Sequence, residues 1–380
     1  YFFIDYFIKD NNLQINFKDN LIYVLLSTIC DVMPIRNLNK IISKNVLDNF
    51  NIKDNLIIKS ILSIKNLNKP LEIEDLGFLV GPILNSPGRL NDANIVVKLL
   101  TSENDSLKLK LINQLILTNE KRKKIENNFF KEIDLNKIAK DKNNVLIEYK
   151  SFINEGIIGI IASKLKEEFN KPCVVLTKSN NIYKASARST SNFNIGKYIK
   201  LAIDKNIILS GGGHNLAAGF TIKEDKIEEF KTFINLAFEK NHSIPAKKYI
   251  SKISLSAINY KFYDVIKTVG PFGNSNPNPI FLIENVKVIK PIILKKKFLS
   301  FYAKKKSGKL FPAIAFTFTE SDLFKTLLFN KNEISLIVQI KENIWNNKKK
   351  LQLVVIDAVT DLNKAWLIIV FTIKNSNSVP

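Results

Sequence analysis

Cysteine is nearly absent, with only Cys30 and Cys173 in 380 residues. The two lie far apart, form no Cys-x-x-Cys pair and have only His214 and His242 for company, which excludes both a zinc cluster and a disulfide framework. That usage fits a reducing cytoplasm. Long apolar runs are also missing: the most apolar stretch, Ala365 to Ile373, is about half of the roughly 18 to 20 residues that a membrane helix needs. It reads as a buried strand or as a misplaced chain end. Methionine occurs once, at Met33, and the first residue is Tyr1, so residue 1 is expected to be internal to a longer protein. Acidic residues are in short supply, 35 against 57 basic ones, giving a formal charge of +22. A field of that size attracts polyanions in a salt-dependent way but does not name which polyanion.

At this length more than one core is expected, because single cores rarely grow past about 250 residues. Residues 21 to 33 form an apolar block ending at Pro34, suited to a buried helix or strand that delivers Asp31 to a core edge. Helical patterns continue to about residue 75. Between Leu107 and Ile138 a long amphipathic stretch, carrying the charged run EKRKK, reads as a helix connecting two domains. The period then changes. VLIEY, GIIGIIASKLKEEF and PCVVLT form a βαβ pattern, and alternating strand and helix segments continue to about 245. From about 250 short strands take over: KISLSAI, FLIENVKVIK, FLSFYAKKK, LFPAIAFTF, ISLIVQI and LQLVVIDAV, which suggests a small β-barrel. Residues 251 to 360 hold 18 lysines against 7 acidic residues, half of the whole excess, so the barrel is the expected polyanion surface.

The most specific string is LSGGGHNLAAGF, residues 209 to 220. Gly211, Gly212 and Gly213 remove every side chain from what reads as a turn, expose backbone N–H groups and can cradle a phosphate, to which His214 can donate. In ASARS, residues 185 to 189, period-two alternation puts Ser186 and Arg188 on the same side of a strand. With Arg89 in GPILNSPGRLNDA they offer two guanidinium forks and a hydroxyl, a donor set that fits a terminal phosphate.

LSGGGHNLAAGF resembles the signature of the DHH-associated domain of the DHH phosphoesterase superfamily. GPILNSPGRLNDA (81 to 93), ASARS, GPFGNSNPNPIF (270 to 281) and IWNNKKKLQLVVID (344 to 357) resemble segments of one branch, the RecJ exonucleases, in that order. The resemblance covers roughly residues 20 to 358. It implies a multidomain α/β protein: the C-terminal part of a DHH catalytic domain (1–95), a connecting helix (96–140), an α/β DHH-associated domain (141–245), an oligonucleotide-binding (OB-type) barrel (246–358) and a tail that no motif assigns (359–380). The implied activity is metal-dependent 5′ to 3′ hydrolysis of single-stranded DNA in recombination and repair, in the cytoplasm. Single-stranded DNA is the implied partner, with a single-strand-binding protein and a helicase as candidate protein partners and no membrane. Arg89, Ser186 and Arg188 match positions that the family associates with the 5′ end.

TICDVMPI (28 to 35) is similar to the family's fourth metal motif, which makes Asp31 the candidate manganese (or magnesium) ligand and catalytic residue. Carboxylate oxygens suit such hard ions. The family's Asp-x-Asp motif and Asp-His-His triplet are missing from this sequence and are expected upstream, so the chain alone is not expected to cleave DNA. Ile83 stands where relatives often carry a basic residue and Asn154 where many carry histidine. In the barrel, Lys295, Lys296, Lys297, Lys304, Lys305 and Lys306 flank Phe298 and Phe301. Such interleaving suits a single strand, lysines on phosphates and rings on bases, although the same rings could face the core. Two rivals remain open: a small-substrate DHH phosphoesterase acting on nanoRNA or pAp, which needs no barrel, and a nucleic-acid-binding module without catalysis.

Overall fold

Apolar residues three and four apart build the first half of the chain as helices. The computed structural model describes residues 2–14, 20–64, 70–90, 92–149, 153–241, 248–294, 298–306, 308–316, 321–345, 348–359 and 367–368. They divide into two units, Tyr1–Ser243 with Pro271–Pro277, and Ile244–Gly270 with Asn278–Pro380. Among the described residues no helix is long and apolar enough to cross a membrane.

The first unit begins with α1 (Phe2–Asp10), α2 (Leu21–Cys30), α3 (Asn37–Asn49) and α4 (Leu56–Ser63), followed by the short α5 (Ile73–Asp75), α6 (Gly81–Leu84) and α7 (Ser86–Leu90). Then come α8 (Asn94–Thr101), the 28-residue α9 (Asp105–Glu132) and α10 (Leu135–Lys140). Ile22, Leu25, Ile58, Ile61, Leu76, Val80 and Ile83 pack with Leu111, Ile112 and Leu115 of α9 in one core. Ile83 is therefore a packing residue. The buried stripe of α9 continues along the same face through Asn119, Arg122, Glu126 and Phe129. Arg122, inside the charged run EKRKK, is thus turned inward.

The α/β half alternates β1 (Leu146–Tyr149), α11 (Glu155–Phe169), β2 (Cys173–Ser179), β3 (Ile182–Arg188), α12 (Ile195–Asp204), β4 (Ser210–His214), β5 (Ala217–Ile222) and α13 (Ile227–Asn241). The strands form one sheet in the order β1-β2-β3-β5-β4, with β1 and β2 parallel as the βαβ pattern predicts. One face of the sheet packs on α12 and α13 through Ala185, Ala187, Ala218, Phe220, Ile199 and Phe230. On the other face α11 covers Cys173 and Val175 with Ile157, Ile161 and Leu165.

In the second unit the segment read as a strand, KISLSAI, is mostly something else. The short β6 (Lys248–Tyr249) precedes it, β7 (Ser251–Lys252) reaches only its first residue, and residues 255–257 turn into a single helical turn capped by Ser254. After α14 (Tyr260–Thr268) the strands β8 (Phe281–Leu294), β9 (Phe298–Lys304) and β10 (Phe311–Phe316) run consecutively, then α15 (Asp322–Phe329), β11 (Ile334–Trp345) and β12 (Lys348–Val359). Their order β11-β12-β10-β9-β8, with β11 pairing back to β8, closes a five-stranded barrel. Closure with the order 1-2-3-5-4 and a helix between the third and fourth strands is the OB arrangement. Its interior holds Ile283, Leu299, Phe301, Ala313, Ala315, Leu336, Val338 and Leu353. Of the tail after 359, only Leu367–Ile368 is described, paired with β6.

Candidate phosphate site and nucleic-acid face

The three glycines do not form a turn. They are the middle of β4, an edge strand, and the reversal comes after His214. Close approach explains the composition. A Cβ on Gly211 would lie 2.8 Å from the Gly219 carbonyl oxygen, and one on Gly213 would lie 2.4 Å from the Ala217 oxygen. Gly212 faces open space, with nothing within 4 Å. Its missing side chain leaves a flat strip on the sheet rather than a loop around an anion.

Registers place three rows across β3, β5 and β4 on the α11 side of the sheet: Lys184, Thr221 and Ser210; Ser186, Gly219 and Gly212; Arg188, Ala217 and His214. Ser186 and Arg188 share a face, as alternation predicts. The middle row has no side chains beyond Ser186, so polar groups rim a bare floor. Strand spacing sets His214 about 10 Å from Arg188 across that floor. An open depression of about 350 Å³ lies toward the Lys184 end of the floor, lined by Glu155, Lys184, Ser186, Ser210, Gly211, Gly219 and Thr221 among others, without Arg188 or His214.

Beside the floor stands the start of α11, capped by Asn154, whose side chain accepts from the Gly156 N–H at 2.8 Å. Asparagine at this position is therefore a helix cap. Two glycines of α11, three apart and missed as site residues by the sequence reading, set the packing. A Cβ on Gly156 would meet the Arg89 carbonyl oxygen at 2.3 Å, and one on Gly159 would meet Arg188 Nη2 at 3.0 Å and Ser186 Oγ at 3.1 Å. Arg89 Nη1 donates to the Gly156 carbonyl (3.0 Å), while Arg188 Nη1 donates to Ser186 Oγ (3.1 Å) and the Ala187 carbonyl (2.8 Å). The structure thus brings Arg89, Ser186 and Arg188 to one helix start. Burial is the first reason the Arg89 pKa falls from its usual value, then repulsion from Arg122 and Arg188, with Glu126 opposing. Arg188 is lowered by burial.

Asp31 caps the C-terminus of α2 and is exposed. Val32 N–H bonds Ile29 O and Met33 N–H bonds Thr28 O, a C-terminal motif that puts Val32 at φ 53°, where glycine is usual. The segment after it is clamped by the GPFGNSNP turn: Asn274 Nδ2 donates to the Val32 carbonyl (2.6 Å), Ile35 N–H to Asn274 O (2.7 Å) and Arg36 Nε to Ser275 O (2.6 Å). Gly273 sits so close that a Cβ would be 2.8 Å from Ile35. No cluster of three or more His, Cys, Asp or Glu able to hold a metal occurs among the described residues.

On the barrel, Phe301 is 2% exposed and belongs to the interior, so it is not a stacking residue as the structure stands. Alternation then sends Phe298 to the other face, because the two are an odd number of residues apart. The outward face instead carries rows Leu294, Phe298 and Phe316, then Ile292, Ser300 and Ile314, then Ile289, Tyr302 and Pro312. Phe316 is 59% exposed, Tyr302 is 44% exposed, and the Phe298 ring meets Phe316 edge-on at 5.1 Å. Lys287 pairs with Lys304 at one end of this face. Lys304 and Lys306 are exposed and Lys305 half-buried. Lys295, Lys296 and Lys297 lie outside the described residues.

The RecJ OB domain family matches residues 251–357, and the DHHA1 domain family matches residues 142–240. The chain is RecJ-like. It is 27% identical over 344 residues to the single-stranded-DNA-specific exonuclease RecJ of Bacillus subtilis, covering 88% of this chain and 43% of that protein. It is 28% identical over 360 residues to the Haemophilus influenzae exonuclease of the same name, covering 90% of this chain and 62% of the relative. The RecJ-like chain therefore spans about half the length of the curated relatives it matches. Crystal structures of Thermus thermophilus RecJ with Mg2+ and with Mn2+ align with TM-scores of 0.73 and 0.74 at 19% identity, covering 92% of this chain and 53% and 50% of those chains. At that identity the likeness shows the fold. The barrel and its family match count against the small-substrate phosphoesterase reading of the RecJ-like chain.

Proposed function

We propose that the chain is part of an exonuclease that degrades single-stranded DNA from its 5′ end, and that it supplies the grip on that end. The observation that carries this reading is the convergence of Arg89, Ser186 and Arg188 at the start of α11, beside the glycine floor of β4 and β5. Two guanidinium groups and a hydroxyl can bind a terminal phosphate through charge-assisted hydrogen bonds. The bare strip of Gly212 and Gly219 lets a sugar or base approach the backbone. His214, Ser210 and Thr221 offer donors at the rim. On the barrel, the outward face of Phe298, Tyr302 and Phe316 with Lys287 and Lys304 suits stacked bases and tracked phosphates.

The metal chemistry belongs to the whole protein. Two divalent ions, manganese or magnesium, would activate water against the phosphodiester. The residues present offer one candidate carboxylate, Asp31, and among the described residues no cluster that could hold an ion, so they do not fit a two-ion site by themselves. This chain thus contributes binding and orientation, and no bond-breaking step. Reaction in the cytoplasm and cooperation with a single-strand-binding protein or a helicase belong to the same proposal.

The test is fluorescence anisotropy of a short strand bearing a 5′ phosphate against the same strand with a 5′ hydroxyl, at low and moderate salt. The expected result is tighter binding of the phosphorylated strand, lost in Arg188→Ala. Equal affinities that fall together with salt would leave only the +22 charge to explain binding.

A further inference from the structure

Behind the proposed pocket lies a buried group of charges that a simple anion clamp does not need. Arg122 and Glu126 on α9 are 7% and 2% exposed. Arg122 Nη1 donates to Glu126 Oε1 at 2.5 Å and its Nε to Asn119 Oδ1 at 3.0 Å, so the guanidinium is fixed on two sides. The other oxygen of Glu126 accepts from Lys164 Nζ of α11 at 2.7 Å. One carboxylate is thus shared by two cations, and the triad keeps a net positive charge. α9 packs against both α7, which carries Arg89, and α11: Ser86 Oγ donates to the Leu115 carbonyl at 3.4 Å, and Phe129 shares a core with Leu90, Ile157 and Ile161, so the triad stands close enough that the Arg89 charge is disfavoured by burial and then by both Arg122 and Arg188, while Glu126 favours it. Counting the rim residue Glu155, the four cations face two carboxylates. The buried pair Arg122–Glu126 is itself neutral, and the excess charge of the triad sits on Lys164, whose side chain is 47% exposed.

We propose that Arg122, Glu126 and Lys164 set the charge behind Arg89 and Arg188, so that the pocket matches a dianionic terminal phosphate monoester rather than the monoanionic diester of a strand interior. The proposal rests on the 5′-end reading above and makes these three positioning residues, acting through the field and not through contact with the ligand. A terminal monoester carries nearly two charges at neutral pH, whereas an internal diester carries one. An excess of positive charge therefore favours the end over the interior of the same strand.

The test uses the 380-residue chain and reads one quantity, the ratio of affinities for 5′-phosphorylated and 5′-hydroxyl strands. Arg122→Gln should lower that ratio on the order of tenfold, as expected for removing one charge a short distance away in a partly buried site. Glu126→Gln should raise it. The double variant Arg122→Gln/Glu126→Gln, which leaves the net charge unchanged, should return near the parent ratio. Lys164→Gln changes a side chain that is 47% exposed, so it perturbs the fold less than Arg122→Gln, and it should lower the ratio a few-fold, roughly as a more screened charge does. Effects ordered by charge support the proposal. Loss of preference in all four alike, or no change in both Arg122→Gln and Lys164→Gln, would overturn it while leaving the 5′-end reading standing if Arg188→Ala still abolishes the preference. A parent chain with no preference would sink both.

Discussion

Gly159→Ala separates stability from binding. Gly159 is the fifth residue of α11, inside the helix, where alanine is favoured over glycine by about 0.8–1 kcal/mol. The added methyl would stand 3.0 Å from Arg188 Nη2 and 3.1 Å from Ser186 Oγ. Both atoms end side chains that can move, so the clash is relieved by displacing them a few tenths of an ångström and costs the fold little. Those same atoms are the proposed phosphate donors. A hydrogen bond to a charged group contributes about 1.5–3 kcal/mol, and weakening one or two by misplacement should cost about 1–2 kcal/mol of affinity, roughly 5- to 30-fold. Urea denaturation followed by circular dichroism should show a midpoint unchanged or raised, while anisotropy shows the 5′-phosphate preference reduced. A variant that loses stability but keeps the full preference would refute the assignment of Arg188 and Ser186 to the phosphate.

Gly156→Ala should behave in the opposite way, because its methyl would lie 2.3 Å from the Arg89 carbonyl oxygen and 2.7 Å from its Cα, backbone atoms that cannot step aside. A loss of about 1–3 kcal/mol or more in the same denaturation assay is expected, and a stable variant would contradict the close α7 to α11 contact. Val32→Gly removes a β-branched residue from φ 53° and should stabilise by about 0.5–1 kcal/mol, with a loss of stability refuting the strain. Phe301→Ala should cost about 3–5 kcal/mol of barrel stability. Phe316→Ala, at an exposed ring, should leave the melting temperature nearly unchanged yet weaken single-strand binding by about 1–3 kcal/mol, and unaltered binding would remove that face from the nucleic-acid reading.

Much of this was legible in the sequence because period and alternation are local signals. The βαβ unit, the shared face of Ser186 and Arg188, and the barrel strands from Phe281 onward follow from spacing alone. What the sequence hid depends on tertiary contact. Gly211 to Gly213 read as a turn because glycine runs usually mark one, whereas here they let β4 lie against β5 without side chains. Arg122 sits in the charged run EKRKK, whose composition does not show which of its residues is buried. Only its phase with Leu115, Asn119 and Phe129 on the buried stripe of α9 does so. Gly156 and Gly159, three residues apart on one helix face, were a readable sign of close packing. The placement of Phe301 was partly legible as well: alternation rules out Phe298 and Phe301 on one face, although it does not say which of them points inward. The clamp of Asn274 and Ser275 on residues 32 to 36 joins segments about 240 apart, beyond any local pattern.

The most direct test of the central claim removes charge as a variable. A strand carrying its single terminal phosphate at the 5′ end and the same strand carrying it at the 3′ end have equal charge, so the overall field of the protein treats them alike. Competition anisotropy on the parent chain should show the 5′-phosphorylated strand displacing a labelled probe at clearly lower concentration, with the difference abolished by Arg188→Ala. Equal displacement by both strands would contradict the assignment of Arg89, Ser186 and Arg188 to a 5′ end.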